Sequence, residues 1–388
     1  MKILWCGPYF SEYAFTGKKS LNIAATVWSH GFVRGLKENG CNVHVVTLCP
    51  EQAWPAGRVF WQGHDDRLFD HDVPVSAISY LNVAHLREIW QSFFFARKVR
   101  KLLLKEKFDA LICYNVLHPY HVAAMREARK GGVPTFPIIL DGGYDVVKEG
   151  FGEMSRSARY ADGVVFLSQW CRDNFPAEGR RLLQMEGGVA EWKGMPPSTN
   201  QYSPMKVVTY AGAFTAHRGQ GLVEMVRSCK RRDVRFIICG KWDMAATRKA
   251  FGDDSRVELL GMVSAKKLEE IYSVTDVFIN SREAGWGHNL ANFPSKVSAY
   301  LGYGRPIVSN WIDSFPEEYR ELLCVSSNDS GASMAEKLEE VLDWSFDEKL
   351  ACYERLRKAY MEKKSWKMQA KRFLDFIRTD NGNHKSGI

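Results

Sequence analysis

Short apolar runs recur along most of the chain, and helix-like segments separate most of them. The first half contains seven such runs: KILWCG (2–7), NVHVVTL (42–48), VSAISY (75–80), DALICYN (109–115), PTFPIIL (134–140), GVVFLS (163–168) and LLQM (182–185). Continuous apolar, β-branched runs of this length are typical of parallel strands that helices cover on both faces. With helices expected at 21–39, 86–107 and 120–129, the pattern predicts an α/β fold built on a parallel sheet.

The alternation stops around residues 192–205 and then starts again. The stretch WKGMPPSTNQYSPM has three prolines and no periodicity, so it is the best candidate for a linker. Six further runs follow, before a mainly helical region at 331–378: KVVTYAG (206–212), VRFIICG (234–240), VELLG (257–261), DVFINS (276–281), PIVSN (306–310) and CVSS (324–327). A chain of 388 residues is long for one ordinary core. We therefore expect two doubly wound domains, 1–193 and 206–365, followed by a C-terminal helix and tail at 366–388.

Charge and cysteine usage narrow the class of protein. The chain carries 53 Lys and Arg against 45 Asp and Glu, a net charge of +8, which favours anionic partners without forming a polybasic nucleic-acid tail. Its 9 cysteines are scattered and include no CxxC pair, so the sequence predicts neither a zinc site nor a disulfide framework. The N-terminal apolar run is too short for a signal peptide, and no stretch is long enough to span a membrane. We therefore expect a cytoplasmic protein.

Four loops of the second half follow strand-like runs, at the edge of the sheet where open α/β folds bind ligands. They read GAFTAHRGQG (212–221), GKWD (240–243), GMV (261–263) and SREAGWGHNLANFPSK (281–296). Their glycines allow the backbone to approach a ligand closely. Arg218 and Lys241 add positive charge, and Glu283 adds one carboxylate.

A short apolar helix is predicted to begin at Pro294, end at Gly304 and lead directly into the run PIVSN. A proline in the first turn loses no hydrogen bond, and the free N–H groups and dipole of that turn attract an anion. Ser295 adds a hydroxyl donor and Lys296 a positive charge. Together with the glycine-rich loops, this helix start predicts a receptor for a diphosphate.

Several segments, taken in order, carry a family resemblance. They are the MEGGV run (185–189), YAGAFTAHRG, FIICG, VELLGMVSAKKLEEIYSVTDVFINS, FPSKVSAYLGYGRPIVS and the late pair Ser365–Trp366. In these segments the chain resembles a GT-B fold glycosyltransferase, closest to glycosyltransferase family 4 (glycosyl transferases group 1). The resemblance implies two Rossmann-like domains that face a central cleft, the first binding the acceptor and the second the nucleotide-sugar. It also implies a C-terminal helix that crosses back to the first domain.

The resemblance implies roles for single residues as well. Arg218 corresponds to the basic residue that contacts the donor diphosphate, and the backbone of Met262 and Val263 would lie against the nucleobase. The segment from Asn289 to Lys296 would hold sugar hydroxyls and phosphate. The expected donor site therefore consists of Gly212, Arg218, Lys241, Met262, Val263, Asn289, Pro294, Ser295, Lys296 and Ser298.

Three positions depart from the family pattern. Ala213 stands where the family commonly has an arginine, and Ala299 stands where it has a glutamate that grips the ribose. Ribose contacts then fall to Ser298 or Glu283. Asp141, in the run LDGGYD, stands where many retaining members carry an active-site histidine. These departures leave the donor base and sugar open.

The expected reaction transfers a sugar from a nucleotide diphosphate sugar to a glycan or lipid-linked acceptor, without a metal cofactor. Cations and a helix start stabilise the leaving diphosphate. The candidate catalytic residues are Asp141, Glu283 and His118. An inverting enzyme needs a base, for which Asp141 and His118 are the candidates, whereas a retaining enzyme can use the leaving phosphate itself. The resemblance favours retention, and His118 equally fits a capping role at the following helix.

Other interpretations stay open at this point. The same fold serves nucleotide-sugar epimerases and phosphorylases, and the changes at Ala213 and Ala299 also fit a non-catalytic nucleotide-sugar-binding subunit. The net charge of +8 admits a nucleic-acid glycosyltransferase, although nothing else in the sequence favours one. The aromatic and basic helix at 87–107 fits either packing on the sheet or a peripheral contact with the inner face of a membrane.

Overall fold

A computed structural model of the chain describes residues 1–15, 22–63, 66–115, 118–140, 143–198, 205–214 and 216–378. The chain forms two compact units. Unit 1 comprises Met1–Leu167, Cys171–Gly188 and Trp366–Ile388, and unit 2 comprises Ser168–Trp170 and Val189–Ser365.

The main crossings between the units follow Gly188 and Ser365. The first lies earlier than residue 193, where the sequence pattern put the end of the first domain. The Val189 N–H donates to the Lys364 carbonyl (2.7 Å), and Val189 also forms a β-bridge with Ser365. Val189 is therefore already paired with residues of unit 2.

Parallel strands form the main sheet of each unit. In unit 1 the order along the sheet is β4-β2-β1-β6-β7-β8-β9, and in unit 2 it is β12-β11-β10-β13-β14-β15. The strands are β1 (Lys2–Cys6), β2 (Asn42–Thr47), β3 (Phe60–Trp61), β4 (Val75–Ala77), β5 (Tyr80–Leu81), β6 (Ala110–Tyr114), β7 (Thr135–Ile139), β8 (Gly163–Phe166), β9 (Arg181–Gln184), β10 (Lys206–Ala211), β11 (Val234–Cys239), β12 (Val257–Gly261), β13 (Val277–Asn280), β14 (Ile307–Ser309) and β15 (Cys324–Val325).

One predicted strand is split. The run at 75–80 was expected as a single strand, but only β4 joins the main sheet, whereas β5 pairs antiparallel with β3 in a separate two-stranded sheet. The Tyr80 hydroxyl donates to the Cys49 carbonyl (2.5 Å). This bond from a buried side chain fixes the segment outside the main sheet.

Helices connect the strands and cover the sheets. They are α1 (Ile23–Glu38), α2 (Arg87–Lys105), α3 (Pro119–Lys130), α4 (Gly143–Glu149), α5 (Gly152–Ser157), α6 (Gln169–Asn174), α7 (Ala216–Ser228), α8 (Met244–Phe251), α9 (Ala265–Ser273), α10 (Gly287–Ala291), α11 (Ser295–Leu301), α12 (Tyr319–Leu322), α13 (Gly331–Leu342), α14 (Phe346–Ala359) and α15 (Trp366–Arg378). Among the helices described, none is both long and apolar enough to cross a lipid bilayer.

Local sequence explains where several helices begin and end. Asn22 caps α1 by accepting a hydrogen bond from the Ala25 N–H (3.2 Å), and Gly40, with φ of +77°, turns the chain after the helix. Ser345 and Glu348 form a reciprocal capping box at the start of α14. The prediction that residues 331–378 are mainly helical is confirmed by α13, α14 and α15.

The strand order in unit 2 is that of a Rossmann fold. From β10 the chain adds β11 and β12 on one side, and then β13, β14 and β15 on the other. Such a reversal opens a crevice beyond the carboxyl ends of the two central strands. Val208 and Phe236 of the sheet pack with Met225 of α7 and Leu338 of α13 in one apolar core.

The C-terminal helix α15 packs on α1 within unit 1. The Trp28 and Trp366 rings meet edge to face with centroids 5.2 Å apart, and Phe32 and Phe373 do so at 5.3 Å. Gly31 lies between these contacts, and a Cβ at this position would overlap the Trp366 indole. The glycine therefore allows the two helices to approach closely.

We expect Gly31→Ala to destabilise unit 1 by about 1–3 kcal/mol, the usual cost of overpacking a core, because the Trp366 indole must move. Gly221→Ala is the matched control, since a methyl group on that residue of α7 would meet no atom within 4 Å. The control should be neutral or stabilising by up to about 1 kcal/mol. Urea unfolding followed by circular dichroism measures both, and equal stability of the two variants would contradict this packing.

Candidate functional site

A glycine lies at the carboxyl end of each of three neighbouring strands of unit 2. Backbone hydrogen bonds join these three strand ends. The Gly212 N–H donates to the Cys239 carbonyl (2.9 Å), and the Gly240 N–H donates to the Gly261 carbonyl (2.8 Å). A Cβ at Gly240 would overlap the Gly212 carbonyl oxygen, and φ at Gly240 is +144°. This glycine row (Gly212, Gly240 and Gly261) therefore presents backbone rather than side chains at the carboxyl ends of β10, β11 and β12.

Lys296 lies beside the glycine row. Its ammonium nitrogen is 3.8 Å from the centroid of the Tyr210 ring, and a Cβ on Gly212 would lie 3.8 Å from the Lys296 Cδ. The Tyr210 hydroxyl donates to the Ala213 carbonyl (2.9 Å), which holds the ring at the end of β10. The cation–π contact stabilises the positive charge in this position. The structure thus brings together Gly212 and Lys296, two of the predicted donor-site residues.

Helix α11, which carries Lys296, is anchored to the sheet through Tyr300. The Tyr300 hydroxyl accepts a hydrogen bond from the Ala211 N–H (2.9 Å), and its ring stacks on Phe278 with centroids 4.3 Å apart. Tyr300 is fully buried, and this burial raises its pKa well above the ordinary value. The phenol therefore stays neutral and keeps α11 in register with β10.

The predicted helix start is present, but the helix is shorter than expected. Pro294 is buried at the N-cap position, and α11 runs only from Ser295 to Leu301. Gly304, expected as its end, lies in the following turn with φ of +63°. Ser295 is exposed and Ser298 is half-buried. Because so short a helix has a weak dipole, the Lys296 ammonium supplies most of the positive character here.

The loop after β13 is held together by Asn289. This residue is fully buried; its side-chain N–H donates to the Glu283 carbonyl (2.7 Å), and its side-chain oxygen accepts from Arg282 (3.2 Å). Its amide is thus engaged in shaping the loop, and its contact with a sugar hydroxyl stays a prediction. The Glu283 side chain is exposed on the same loop. Asn289 therefore positions the loop that carries this carboxylate.

The other predicted donor residues lie on neighbouring loops. Lys241 is exposed after β11, Met262 is exposed after β12, and Val263 next to it is half-buried. Trp242 was not predicted: its ring meets Phe214 with centroids 6.2 Å apart and would block a Cβ on Gly240. The only signal for it in the sequence is its place in the GKWD loop.

Two predicted residues cannot be placed. The side chain of Arg218 and the whole of Asp141 lie outside the described residues, so their roles stay predictions. The backbone at Arg218 belongs to α7.

Unit 1 has a cavity of about 370 Å³ at the carboxyl edge of its own sheet. His118 is one of its lining residues. The others include Gly7 and Pro8 after β1, Thr47 at the end of β2 and Leu48 after it, Tyr114 at the end of β6 and Asn115 after it, and Phe95, Tyr120 and His121 from the helices. The cavity thus occupies in unit 1 the position that ligands take in open α/β sheets.

His118 occupies the N-cap position of α3, yet its side chain makes no capping hydrogen bond there. Its ring instead stacks on Tyr120 with centroids 5.0 Å apart. Desolvation lowers the pKa of His118, against the opposing effect of the Glu88 charge. The His118 side chain therefore lines the cavity and does not cap α3, and its contact with an acceptor stays a prediction.

His121 was missed by the sequence analysis. It is 2% exposed, and its Nδ1 lies 2.7 Å from the Asn115 carbonyl oxygen. Burial, with a contribution from His118, lowers the pKa of His121 to about 3. The ring is therefore neutral and donates its Nδ1–H to Asn115, whose backbone has φ of +65°. The spacing of two histidines in HPYH was the available signal.

No family model matches the chain, and no curated protein matches it in sequence. Solved structures match it over nearly its whole length. A glycosyltransferase from Rickettsia africae ESF-5 has a TM-score of 0.66 at 12% identity, over 98% of this chain and 99% of that one. HepE of Anabaena, solved with UDP and glucose, has a TM-score of 0.64 at 12% identity, over 98% and 100%. The lipopolysaccharide outer core galactosyltransferase WaaB, in its apo form, has a TM-score of 0.61 at 15% identity, over 98% and 99%.

The chain has the GT-B fold. The predicted fold class is therefore confirmed, with a Rossmann-like sheet in each unit and the C-terminal helix returned to the first. The glycine row lies at the carboxyl edge of the second Rossmann-like sheet, and the cavity with His118 lies at that of the first.

Within this GT-B chain we expect Gly240→Ala to destabilise unit 2 by about 1–3 kcal/mol or more, because the new methyl group would overlap the Gly212 carbonyl. Gly285→Ala is the matched control, since a Cβ at this exposed loop glycine would meet no atom within 4 Å. Denaturant unfolding of both variants provides the measurement. A Gly240→Ala protein as stable as the control would rule out the close approach of the two loops.

The buried neutral His121 should make the stability fall in acid. Its pKa is about 3 in the folded protein and about 6.5 in an unfolded chain. The unfolded chain therefore takes up the proton first, and the free energy of unfolding falls by about 1.4 kcal/mol per pH unit below about pH 6.5. His121→Asn, which keeps a donor for the Asn115 carbonyl, should remove this part of the slope in urea unfolding between about pH 5 and 7. An unchanged slope would show that His121 titrates normally.

Proposed function

We propose that the chain is a glycosyltransferase of the hexosyltransferase type, using a nucleotide diphosphate sugar as donor and a glycan or lipid-linked acceptor. The observation that carries this proposal is the glycine row with Lys296 beside it. A fixed cation beside half-buried glycine backbone, at the carboxyl edge of a Rossmann-type sheet, suits a diphosphate. The likeness to HepE, which was solved with UDP and glucose, supports a uridine diphosphate sugar as donor.

In the proposed reaction the bond between the anomeric carbon and the donor diphosphate breaks, and negative charge grows on the leaving oxygen. Lys296 and Arg218 neutralise this charge, so we propose that no metal ion is required. The fixed position of Lys296 over Tyr210 favours the reaction, because a cation already in place needs no reorganisation as the charge develops. Glu283 and Ser298 are the proposed partners of the ribose and sugar hydroxyls.

The proposed acceptor site is the cavity of unit 1. Its volume of about 370 Å³ and its aromatic wall suit part of a glycan, since sugar rings pack their apolar faces on aromatic side chains.

We propose that the reaction retains the anomeric configuration, as the resemblance to family 4 implies. The acceptor hydroxyl then bonds to the anomeric carbon and gives its proton to the leaving phosphate, while His118 and Asp141 orient the hydroxyl. In an inverting enzyme one of these two would take the proton instead.

We also propose a cytoplasmic location. None of the nine cysteines, all of which lie in the described residues, forms a disulfide, and eight of them are buried. Scattered cysteines that form no disulfide are typical of proteins from a reducing compartment.

The donor proposal predicts a thermal shift with one class of nucleotide-sugar. A ligand at about a hundred times its dissociation constant should stabilise the protein by about 2.7 kcal/mol. We expect this shift with UDP-sugars among UDP-, GDP-, dTDP-, ADP- and CMP-sugars. Lys296→Ala and Arg218→Ala should both abolish the shift. Lys358→Ala, which removes an exposed cation of α14, should keep it.

Turnover then separates the proposed transferase from its alternatives. Release of UDP only in the presence of an acceptor supports transfer, and an α-linked product from an α-linked donor supports retention. Interconversion of the sugar without acceptor would indicate an epimerase. Binding without turnover over a broad acceptor panel would indicate a binding subunit. A shift with none of the nucleotide-sugars would contradict the proposal as a whole.

A further inference from the structure

Helix α2 exposes large apolar side chains on the face opposite its packed one. Phe95, Val99 and Leu102 are buried within unit 1. The opposite side follows the helical spacing of three and four residues and forms what we call the α2 face: Leu86, Ile89, Trp90, Phe93, Arg97, Arg100 and Leu104. The side chains of Ile89 and Phe93 are 66% and 60% exposed. Packing within unit 1 therefore accounts for one side of this helix only.

A second exposed apolar group adjoins the start of α2. Trp54 and Phe60 are 51% and 53% exposed, and Val59 lies beside them. The Trp54 N–H donates to the Asn82 carbonyl (2.9 Å), and the Asn82 N–H donates to the Val59 carbonyl (2.7 Å), which ties this segment to the residues just before α2. Of the sixteen large apolar side chains that are exposed in the described residues, eight belong to this segment and the α2 face. Such clustering marks an interaction surface.

The C-terminal half of the α2 face is cationic. Arg97, Arg100 and the neighbouring Lys101 are exposed, and together with Arg126 of α3 they line a groove of about 580 Å³. The one acidic residue that lines the groove, Glu127, forms ion pairs with Lys130 (2.7 Å) and Arg126 (3.8 Å), which leaves Arg97, Arg100 and Lys101 in excess. The groove is therefore strongly positive.

The single acidic residue of α2, Glu88, lies away from this face. It is about 140° around the helix from Phe93 at 3.6 residues per turn. Apolar and aromatic side chains thus occupy the first half of the face, and the second half carries the cations together with Leu104, with no carboxylate between them.

We propose that the α2 face docks unit 1 on a lipid bilayer that contains anionic lipids. The aromatic and aliphatic side chains of the first half enter the boundary between headgroups and acyl chains, and the cations of the second half bind headgroup phosphates in the groove. Large apolar side chains and basic residues along one side of a helix are typical of helices that lie in a membrane surface.

The charge pattern favours a bilayer over a second copy of the chain. Pairing two α2 faces side by side in the same direction would place cations against cations. Pairing them in opposite directions would bury the cations of each copy against the apolar half of the other. The face has no acidic residue to compensate either arrangement, whereas lipid phosphates supply negative charge at the required place.

The docking proposal rests on the proposed function for its biological meaning. Docking would bring unit 1 to a lipid-linked acceptor. The docking itself is a property of the surface and is measured without donor or acceptor. Failure to bind vesicles therefore leaves the transferase proposal intact, and failure to bind a nucleotide-sugar leaves the docking proposal intact.

The test is co-sedimentation of the full chain with vesicles of phosphatidylcholine alone or with about a third phosphatidylglycerol, in low and high salt. We expect binding to the anionic vesicles, at least tenfold weaker binding to the neutral ones, and loss of the difference in high salt. Arg97→Gln/Arg100→Gln/Lys101→Gln should weaken binding by about a hundredfold, because each cation near an anionic surface contributes roughly fivefold. Ile89→Ser/Phe93→Ser should weaken it at least tenfold on both vesicle types.

Matched controls replace residues of unit 2. Arg232→Gln/Lys266→Gln/Lys358→Gln removes the same charge from exposed positions, and Met195→Ser/Val274→Ser removes exposed apolar side chains. Both controls should bind as the unchanged protein does, and melting curves confirm that all variants are folded. Equal effects of the test and control sets would overturn the proposal, as would absence of binding to anionic vesicles in low salt. A dimer that Phe93→Ser dissociates, without any vesicle binding, would assign the face to a second copy instead.

Discussion

Burial of parallel strands on both faces is the constraint on which both units depend. Parallel neighbours cannot be joined by tight turns, so most strands of the two main sheets are followed by a helical crossover, and all strands of one parallel sheet end at the same edge. That edge collects loops that are distant in the chain. Gly212, Gly240 and Gly261 become neighbours in this way, and the residues around His118 do the same in unit 1. Both proposed sites therefore lie at the carboxyl edge of a sheet.

In the proposed donor site, the residues that support the structure differ from those that we propose to contact the nucleotide-sugar. Tyr300 and Asn289 are fully buried and bond to backbone groups, whereas Lys296 and Glu283 keep part of their surface accessible. A buried aromatic anchor thus fixes the helix that carries the cation, and a buried amide fixes the loop that carries the carboxylate. Such support makes a site rigid before any ligand arrives.

The sequence predicted what depends on local pattern and missed what depends on distant packing. Apolar runs located most strands and the family resemblance indicated the GT-B fold, but a run alone could not show that Tyr80 leaves the main sheet to pair beside Trp61. Lys296 was predicted from its place at a helix start, whereas its contact with Tyr210 joins residues far apart in the chain. His121 escaped notice because only the packing of Phe95 and its neighbours decides that it is buried.

Because α15 packs on α1, unit 1 is completed later than unit 2 during synthesis. Unit 1 contains the first residues of the chain, yet it lacks a helix until Trp366 to Arg378 have left the ribosome. Multidomain chains generally fold their N-terminal domain first, but here unit 2 has all of its residues earlier. During that interval Trp28 and Phe32 have no aromatic partners from α15. A nascent chain of this protein therefore leaves the aromatic side chains of α1 without their α15 partners until Trp366 to Arg378 have been synthesised.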